Sequence, residues 1–267
     1  MLRLASVNVN GLRASWRKGM QPWLETRQPD VLALQEVRAP DEIVHDLLSP
    51  SGLHVGTAPA EAKGRAGVAV ATKVRPLATR IGIGIDYFLN SGRWIETDIE
   101  VAGSKKLTVV SAYVHSGEAG TPKQDDKYLF LDRMIERLQE LRKESDYAVV
   151  VGDLNVGHTT FDIKNWKGNV KKAGFLPEER AYFDRFFGEL GWVDVARTIA
   201  GEVDGPYTWW SNRGQAFDND TGWRIDYQVA TPELAALARS CEVDRAPSYD
   251  TRWSDHAPLV VDYDLLS

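Results

Sequence analysis

The sequence predicts an α/β protein built as stacked β-sheets with helices on the outside. Three observations carry this. Strand-like stretches outnumber helical ones, and helices do not follow every strand, which argues against a doubly wound parallel sheet. The chain has 267 residues, 43% of them hydrophobic, which is enough for a sizeable core. No repeat, low-complexity tract or linker rich in Pro, Gly or Ser interrupts it, so residues 1–267 read as one domain.

The elements follow in chain order. LRLASVNV (2–9) alternates polar and apolar residues and reads as a strand. A helix is expected over 17–27. VLALQEV (31–37), AGVAVAT (66–72), WIETDIEV (94–101) and LTVVSAYV (107–114) carry the β-branched and aromatic residues of strands. Residues 125–143 give the clearest helix. Leu129, Met134, Leu138 and Leu141 recur at helical spacing, Asp125 and Asp126 sit at the start, and Arg142 and Lys143 close the last turn, which suits the helix dipole. YAVVVGDLN (147–155) is a strand. The segment Gly157 to Gly174 is a long polar loop, of a length that is usually functional or mobile. A helix over 176–191 has Pro177 in its first turn and Gly191 at its stop. WRIDYQVA (223–230) is a strand, 231–240 a helix, and APLVVDYD (257–264) the last strand.

Bulk properties narrow the function. One cysteine, Cys241, allows no intramolecular disulfide and fits a reducing cytoplasm. The N-terminus lacks the apolar core of a signal peptide. No apolar run approaches the roughly 20 residues that span a bilayer, so the expectation is a soluble cytoplasmic protein with no membrane contact. The net charge of −6 taken alone counts against non-specific nucleic-acid binding. Its distribution counts the other way. Arg13, Arg17 and Lys18 cluster without an acid, as do Lys164, Lys167, Lys171 and Lys172. These are either two solvated loops or a phosphate-binding rim. Acidic residues gathered around a metal would lower the net charge without opposing DNA.

Polar groups recur where apolar strands end. Asn8, Glu36, Tyr113, Asp153 and Asn155 close strands, and Asp255 and His256 precede the last one. Each alone is an ordinary turn or structural residue. Together they make an oxygen-rich set that suits Mg²⁺ or Mn²⁺. Zinc is disfavoured, because no His or Cys pairs occur at ligand spacing. A serine hydrolase is disfavoured too, because no G-x-S-x-G elbow is present. The segment GWRIDYQVA raises a separate question, since it places Arg224 and Asp226 in a stretch that otherwise wants burial.

The motifs NVNGLR, LQEV, VVVGDLN, GWRIDY and SDHAP, with GFLPEER at 174–180, occur in an order that resembles the exonuclease III and abasic-site endonuclease family, within the wider endonuclease/exonuclease/phosphatase superfamily. The match runs from Leu4 to about Tyr263. GDLN and SDHAP are common to the superfamily, whereas NVNGLR, LPEER and GWRID are narrower and favour DNA repair nucleases. The resemblance implies a four-layer α/β sandwich, two packed mixed β-sheets flanked by helices. It also implies a Mg²⁺- or Mn²⁺-dependent hydrolase of DNA phosphodiesters. Its activity would be 3′→5′ exodeoxyribonuclease, abasic-site endonuclease, or both, on double-stranded DNA at abasic sites or 3′ ends, with a monomer as the default.

By the same resemblance, Glu36 is the principal metal ligand, with Asn8 beside it and Asp255 as a further ligand or supporting acid. Asp153 is the general base for water, and Asn155 holds the phosphate or the water; both lie close enough to be counted with the metal set. His256 donates to a phosphate oxygen and also borders the metal. Tyr113 contacts the phosphate or the leaving oxygen. Asp226 is the partner of His256, which answers the question raised by GWRIDYQVA. Asn10 sits where relatives carry Asp or Asn near the metal. Trp209 and Trp223 resemble the pocket for a flipped abasic sugar, with core packing as the competing reading. Arg213 is a minor-groove or backbone contact. Lys127 sits on the exposed start of the long helix, near DNA or merely solvated. Ser116 and His115 depart from the family's usual Asn or Gln and Pro. Another phosphoesterase of the superfamily is the alternative: a general deoxyribonuclease, or a phosphoinositide or sphingomyelin phosphatase. An inactive binding module would require loss of Glu36, Asp153, Asp226 or His256, and all are present.

Overall fold

The computed structural model describes residues 1–265. Its strands are β1 (Leu2–Asn8), β2 (Val31–Gln35), β3 (His54–Ala58), β4 (Val68–Thr72), β5 (Ala78–Ile81), β6 (Trp94–Val101), β7 (Lys105–Tyr113), β8 (Tyr147–Asp153), β9 (Val193–Asp194), β10 (Trp209–Trp210), β11 (Gly222–Trp223), β12 (Asp226–Ala230), β13 (Ala238–Val243) and β14 (Leu259–Tyr263). One mixed sheet has the order β13-β14-β1-β2-β4-β3. The other has the order β5-β6-β7-β8-β12-β9, and β10 and β11 form a separate ribbon.

The two sheets pack face to face. Leu4, Val31, Ala33, Val68 and Val70 of the first meet Ile95, Ile99, Val109, Val149 and Val151 of the second. The outer face of the second sheet is covered by the helix Pro122–Glu144 through Phe130, Leu131, Met134 and Leu138. The outer face of the first is covered by Leu12, Met20 and Leu24, and by Val44 and Leu48 of the helix Asp41–Leu48. These are the four layers expected. They explain why the central strands read as nearly unbroken apolar runs, since both faces of each are buried.

Register sets the site. β1 and β2 run parallel with Asn8 opposite Gln35, so Glu36 emerges next to Asn8. β7 and β8 run parallel with Tyr113 opposite Asp153. β12 runs antiparallel to β8 and begins with Asp226 opposite Asp153. β14 runs antiparallel to β1, so the residues before it, Asp255 and His256, return to the same edge. Side chains alternate faces along a strand, so a one-residue slip in any of these pairs would turn the set away from the edge.

Departures from the sequence reading have local causes. The helical segment expected at 17–27 starts at Leu12 and bends at Gly19, whose φ of 141° no L-residue readily adopts. The long helix runs Pro122–Glu144. The helix expected over 176–191 is regular only over Pro177–Asp184 and widens into a π-turn at Arg185–Glu189. The helix expected over 231–240 is confined to Pro232–Ala235. Residues Ala238–Val243 instead form an edge strand, because their pairing with β14 is long-range and local propensity does not encode it. The edge strands His54–Ala58 and Ala78–Ile81 and the helix Asp41–Leu48 escaped the sequence reading. Both strands flank a single neighbour and carry exposed residues that blur the alternation.

Arg224, two residues before Asp226, is 1% exposed. Its Nε lies 2.7 Å from Asp162 Oδ1, and its Nη1 and Nη2 lie 3.1 and 2.7 Å from the two oxygens of Asp194. Its guanidinium stacks 4.5 Å over the Tyr227 ring. Arg197 Nη2 reaches the same Asp162 oxygen at 2.6 Å. The entry to β12 is thus pinned to the long loop and to the helix Val195–Ala200. Burial alone would raise the Asp162 carboxyl. Arg224, the Thr159 N–H and Arg197 outweigh it and hold the group at about 2 against an ordinary 3.8. A depressed carboxylate contributes its stability above the unfolded-state value and loses it as pH falls from about 4 towards 2, a contribution of about 2 kcal/mol at neutral pH. Asp162→Asn should therefore lower the unfolding free energy by about 2 kcal/mol at pH 7, leaving Asp194 as the remaining acid paired with the buried Arg224 guanidinium. Denaturant unfolding at pH 7 and pH 3 checks this: the gap between wild type and variant should narrow at pH 3, and a constant gap would refute the ionised pairing.

Candidate active site

The edge where β1, β2, β7 and β8 end is shaped by backbone that few side chains tolerate. Gly152 has φ 133°, and a Cβ there would lie 2.1 Å from the Ala112 carbonyl oxygen, so only glycine lets β8 approach β7 closely enough to set Asp153 beside Tyr113. Just past their strands, Glu36 and Asn155 adopt the left-handed conformation, with φ 48° and 52°. Such positions cost energy and persist where surrounding contacts impose them.

At this edge the Asn8 amide Nδ2 donates to Glu36 Oε1 at 2.8 Å and to Asp153 Oδ2 at 2.9 Å, while its Oδ1 accepts the Asn10 N–H at 3.0 Å. His256 Nδ1 lies 2.8 Å from Asp226 Oδ2, and its Nε2 lies 3.7 Å from Asp153 Oδ2. The Asn155 N–H donates to Asp153 Oδ1 at 3.0 Å, and Asn155 Nδ2 donates to the Val114 carbonyl at 2.9 Å. Asp255 accepts from Asn10 Nδ2 at 2.9 Å and from Trp209 Nε1 at 3.1 Å. Tyr113 lies beside Glu36, with the Arg93 guanidinium 4.7 Å over its ring.

Burial and crowding decide the charges. Burial pushes the Asp153 carboxyl up, and the Asp226 and Glu36 carboxylates add to this against the pull of His256. Burial would lower His256, but Asp226 and Asp153 outweigh it and hold the ring protonated, well above its ordinary value. Burial, Glu36 and Asp153 raise the Tyr113 hydroxyl and keep it neutral. Asp255 is lowered despite burial, chiefly by His256 and its two donors.

The donor set fits a hard divalent cation. Asp153 and Asp226 each offer a carboxylate oxygen within 4.8 Å of the other and of a His256 ring nitrogen. Glu36 adds a carboxylate across Asn8, and Asp226 Oδ1 is buried without a hydrogen-bond partner. Crowded acids, with the Asp153 carboxyl pushed up by burial and by its acidic neighbours, are the electrostatic signature of such a site.

The tryptophans stand at the mouth. Trp209 and Trp223 pair across the β10–β11 ribbon, ring centroids 5.9 Å apart and edge to face at 88°, and the Trp209 ring lies 6.4 Å from that of His256. Both are only partly buried and neither joins a core cluster, so core packing does not describe them. Arg13 and Arg17 are exposed on the first helical segment, Arg213 is exposed on the loop between β10 and β11, and Lys164, Lys167, Lys171 and Lys172 are exposed on the long loop.

Lys127 does not face solvent, and the expectation that it meets DNA is corrected. Its side chain is fully buried with Nζ 2.6 Å from Glu179 Oε1, because the helix begins at Pro122 and Lys127 falls on its inward face. His115 packs against Phe88 and Phe130, and burial lowers it to about 3, so it stays neutral. The sequence reading missed Arg38, Arg65 and Arg93. With Glu36, Tyr113 and Ser116 they line a groove of about 600 Å³ beside the carboxylates, and Arg38 pairs with Glu36. Single arginines in separate loops carried no local signal.

This chain is 35% identical over 259 residues to an exodeoxyribonuclease of Bacillus subtilis (strain 168), a match that covers 97% of this chain and 98% of that one. It is 31% identical to exodeoxyribonuclease III of Haemophilus influenzae, covering 98% of this chain and 100% of that one. The solved AP endonuclease of Archaeoglobus fulgidus superimposes with a TM-score of 0.87 at 30% identity, over 99% of this chain and 100% of that one. Residues 5–256, which include every carboxylate of the cluster and end on His256 itself, match the family profile, and the chain belongs to the Endonuclease/Exonuclease/phosphatase family.

Proposed function

We propose that this chain is a Mg²⁺- or Mn²⁺-dependent DNA repair nuclease that hydrolyses DNA phosphodiesters at 3′ ends, at abasic sites, or both. The observation that carries this is the His256–Asp226 pair set 3.7 Å from Asp153, next to Glu36 and Asn8, with two half-exposed tryptophans opening onto it. The similarity to exodeoxyribonucleases and an AP endonuclease over nearly the whole chain supports the substrate class.

Glu36 would be the main residue to hold the ion, with Asp153 and Asp255 as further carboxylates. Asn8 and Asn155 join it through their carboxamide oxygens, which for Asn8 means releasing the Asn10 N–H. When bound, the cation offsets charge on the phosphate and on the crowded carboxylates. Asp153, raised by burial, accepts a proton from the attacking water. His256, held protonated by Asp226, donates a hydrogen bond to a phosphate oxygen as negative charge grows there. Its Nδ1–H is committed to Asp226, so its tautomer is fixed and Nε2 faces the site. That makes His256 a donor at the rim of the metal rather than a ligand. Tyr113, neutral and next to Glu36, contacts the phosphate or the leaving 3′ oxygen. Asp255 holds Asn10 and Trp209 in place. Arg13, Arg17, Arg213, the lysines of the long loop and the groove of Arg38, Arg65 and Arg93 give the duplex a basic track on an acidic protein. A monomer and a single catalytic domain over residues 1–267 are part of this reading. Among the described residues no helix is long and apolar enough to cross a membrane. The single free Cys241 suits a cytoplasmic setting. The test is incision of a duplex oligonucleotide carrying one abasic site, and trimming of its 3′ ends, with Mg²⁺ and then with excess EDTA. Activity that survives EDTA would overturn the metal assignment.

Three outcomes follow from the assigned roles. Glu36→Gln keeps the shape of the side chain and removes its charge, so half-maximal activity should shift to a higher Mg²⁺ concentration, and calorimetry should show weaker Mg²⁺ binding. Unchanged binding would remove Glu36 from the ligand set. His256 and Asp226 act as one unit, so Asp226→Asn on a His256→Asn background should add little to the loss caused by His256→Asn alone. Initial rates of the two singles and the double decide this, and losses that multiply would separate the pair.

Trp223 decides which substrate is seated rather than how it is cut. An aromatic contact to a nucleotide is worth roughly 1–3 kcal/mol, or about 5- to 150-fold in binding. Trp223→Ala should weaken abasic-site incision within that range while sparing Mg²⁺-dependent cleavage of a small phosphodiester. A parallel loss of both activities with a lowered Tm would return Trp223 to a packing role.

A further inference from the structure

Lys127 and Glu179 are both fully buried, yet neither belongs to the catalytic cluster. Besides each other and Gln124, they contact backbone at Ser116, Asn155, Gly174 and Leu176. Lys127 Nζ donates to the Asn155 carbonyl at 2.9 Å, the Ser116 carbonyl at 3.2 Å and Glu179 Oε1 at 2.6 Å. Glu179 Oε1 also accepts from Gln124 Nε2 at 2.9 Å. Glu179 Oε2 accepts the N–H of Gly174 at 2.7 Å and of Leu176 at 3.0 Å.

What these atoms hold is consequential. Asn155 is in the left-handed conformation, its N–H fixed on Asp153 and its carbonyl on Lys127, so both sides of an unfavourable residue are clamped. Gly174 has φ 92°, and a Cβ on it would lie 2.8 Å from the Trp223 ring, so its backbone is the surface on which Trp223 rests. The Gly174 carbonyl also accepts the N–H of Gly157 at 2.8 Å, which closes the long loop at its base. One buried pair therefore touches the strand-end asparagine on one side and the support of the aromatic wall on the other. An ion pair this deep is weak evidence for stability, since apolar residues of the same volume often serve as well. Its placement points to another role.

We propose that Lys127 and Glu179 are positioning residues that hold Asn155 and Gly174, and through them the phosphate-side amide and the tryptophan wall, in register with each other. The proposal rests on the reading of Asn155 as an active-site residue. It assigns function to a lysine that touches no substrate and to the LPEER glutamate.

The test uses Lys127→Met with Glu179→Gln, a double variant that removes both charges together and keeps the volume. Hydrogen exchange by mass spectrometry should show amides at 154–157 and 174–176 opening at least about tenfold faster, with other core strands unchanged. Cleavage of a small phosphodiester should fall roughly 10- to 100-fold in kcat. On an Asn155→Ala background the same double substitution should cause almost no further fall, because the residue it positions is gone. Unchanged exchange in those two segments would overturn the proposal, and so would losses that multiply with Asn155→Ala. Should the double variant melt below the assay temperature, Glu179→Gln alone is read by the same criteria. It keeps an oxygen for Lys127 and puts an amide where Gly174 and Leu176 must find an acceptor. A wild-type protein that cleaves nothing with Mg²⁺ would sink the nuclease reading, and the exchange measurement would still decide the positioning role.

Discussion

Glu36, Asp153 and Asp226 are brought to one edge of two stacked sheets, and three carboxylates that close must be compensated. Asp226 finds the protonated His256, Glu36 finds Arg38, and the Asn8 amide bridges Glu36 and Asp153. Asp153 is raised by burial and by its two acidic neighbours, and Asp226 keeps one buried oxygen without a hydrogen-bond partner. The protein's own cations do not quiet this cluster. A divalent ion would. The fit to a metal thus arises from one electrostatic fact, the crowding of acids at a largely buried strand edge.

That crowding is built by the sheets. Parallel β1 and β2 and parallel β7 and β8 deliver their C-terminal ends to one side, while antiparallel β12 and β14 contribute the residues at or before their starts. No loop has to search for the site, because strand register already places Asn8, Tyr113, Asp153 and Asp226. Loops supply what lies outside: the basic rim, the tryptophan ribbon and the arginine groove. This division suits a scaffold in which chemistry is fixed and substrate choice is adjusted at the margins.

Much of this was legible in the sequence, for reasons that can be named. Central strands are buried on both faces, so their apolar runs stand out, and a polar residue ending such a run is conspicuous. Asn8, Glu36 and Asp153 stand out in that way, and His256 as a polar residue just before the last strand. Edge strands such as His54–Ala58 and Ala78–Ile81 were not, because half of each faces solvent. Ala238–Val243 carries a helix-compatible composition and becomes a strand only by pairing with Leu259–Tyr263. Arg38, Arg65 and Arg93 converge from three separate loops, which no local pattern encodes. Lys127 was misread for a related reason. A lysine near a helix start is ordinarily solvated, and its partner Glu179 lies 52 residues away in sequence.

Arg224 and Lys127 share a logic that sequence reading is poorly equipped to see. Each is a cation buried against acids contributed by distant segments: Asp162 and Asp194 for the first, Glu179 for the second. Each also lies one step from a functional group. Arg224 follows Trp223 directly and precedes Asp226 by two residues, and Lys127 grips the carbonyl of Asn155. Apolar contacts at these places would tolerate small slides of one element over another. A charge with directed hydrogen bonds does not, because moving it by an ångström leaves a buried ion unpaired. A reaction that needs its donors and base placed to within a fraction of an ångström has reason to accept the desolvation of two extra cations, since they hold in place the loops and strand ends that the sheets alone leave free to shift.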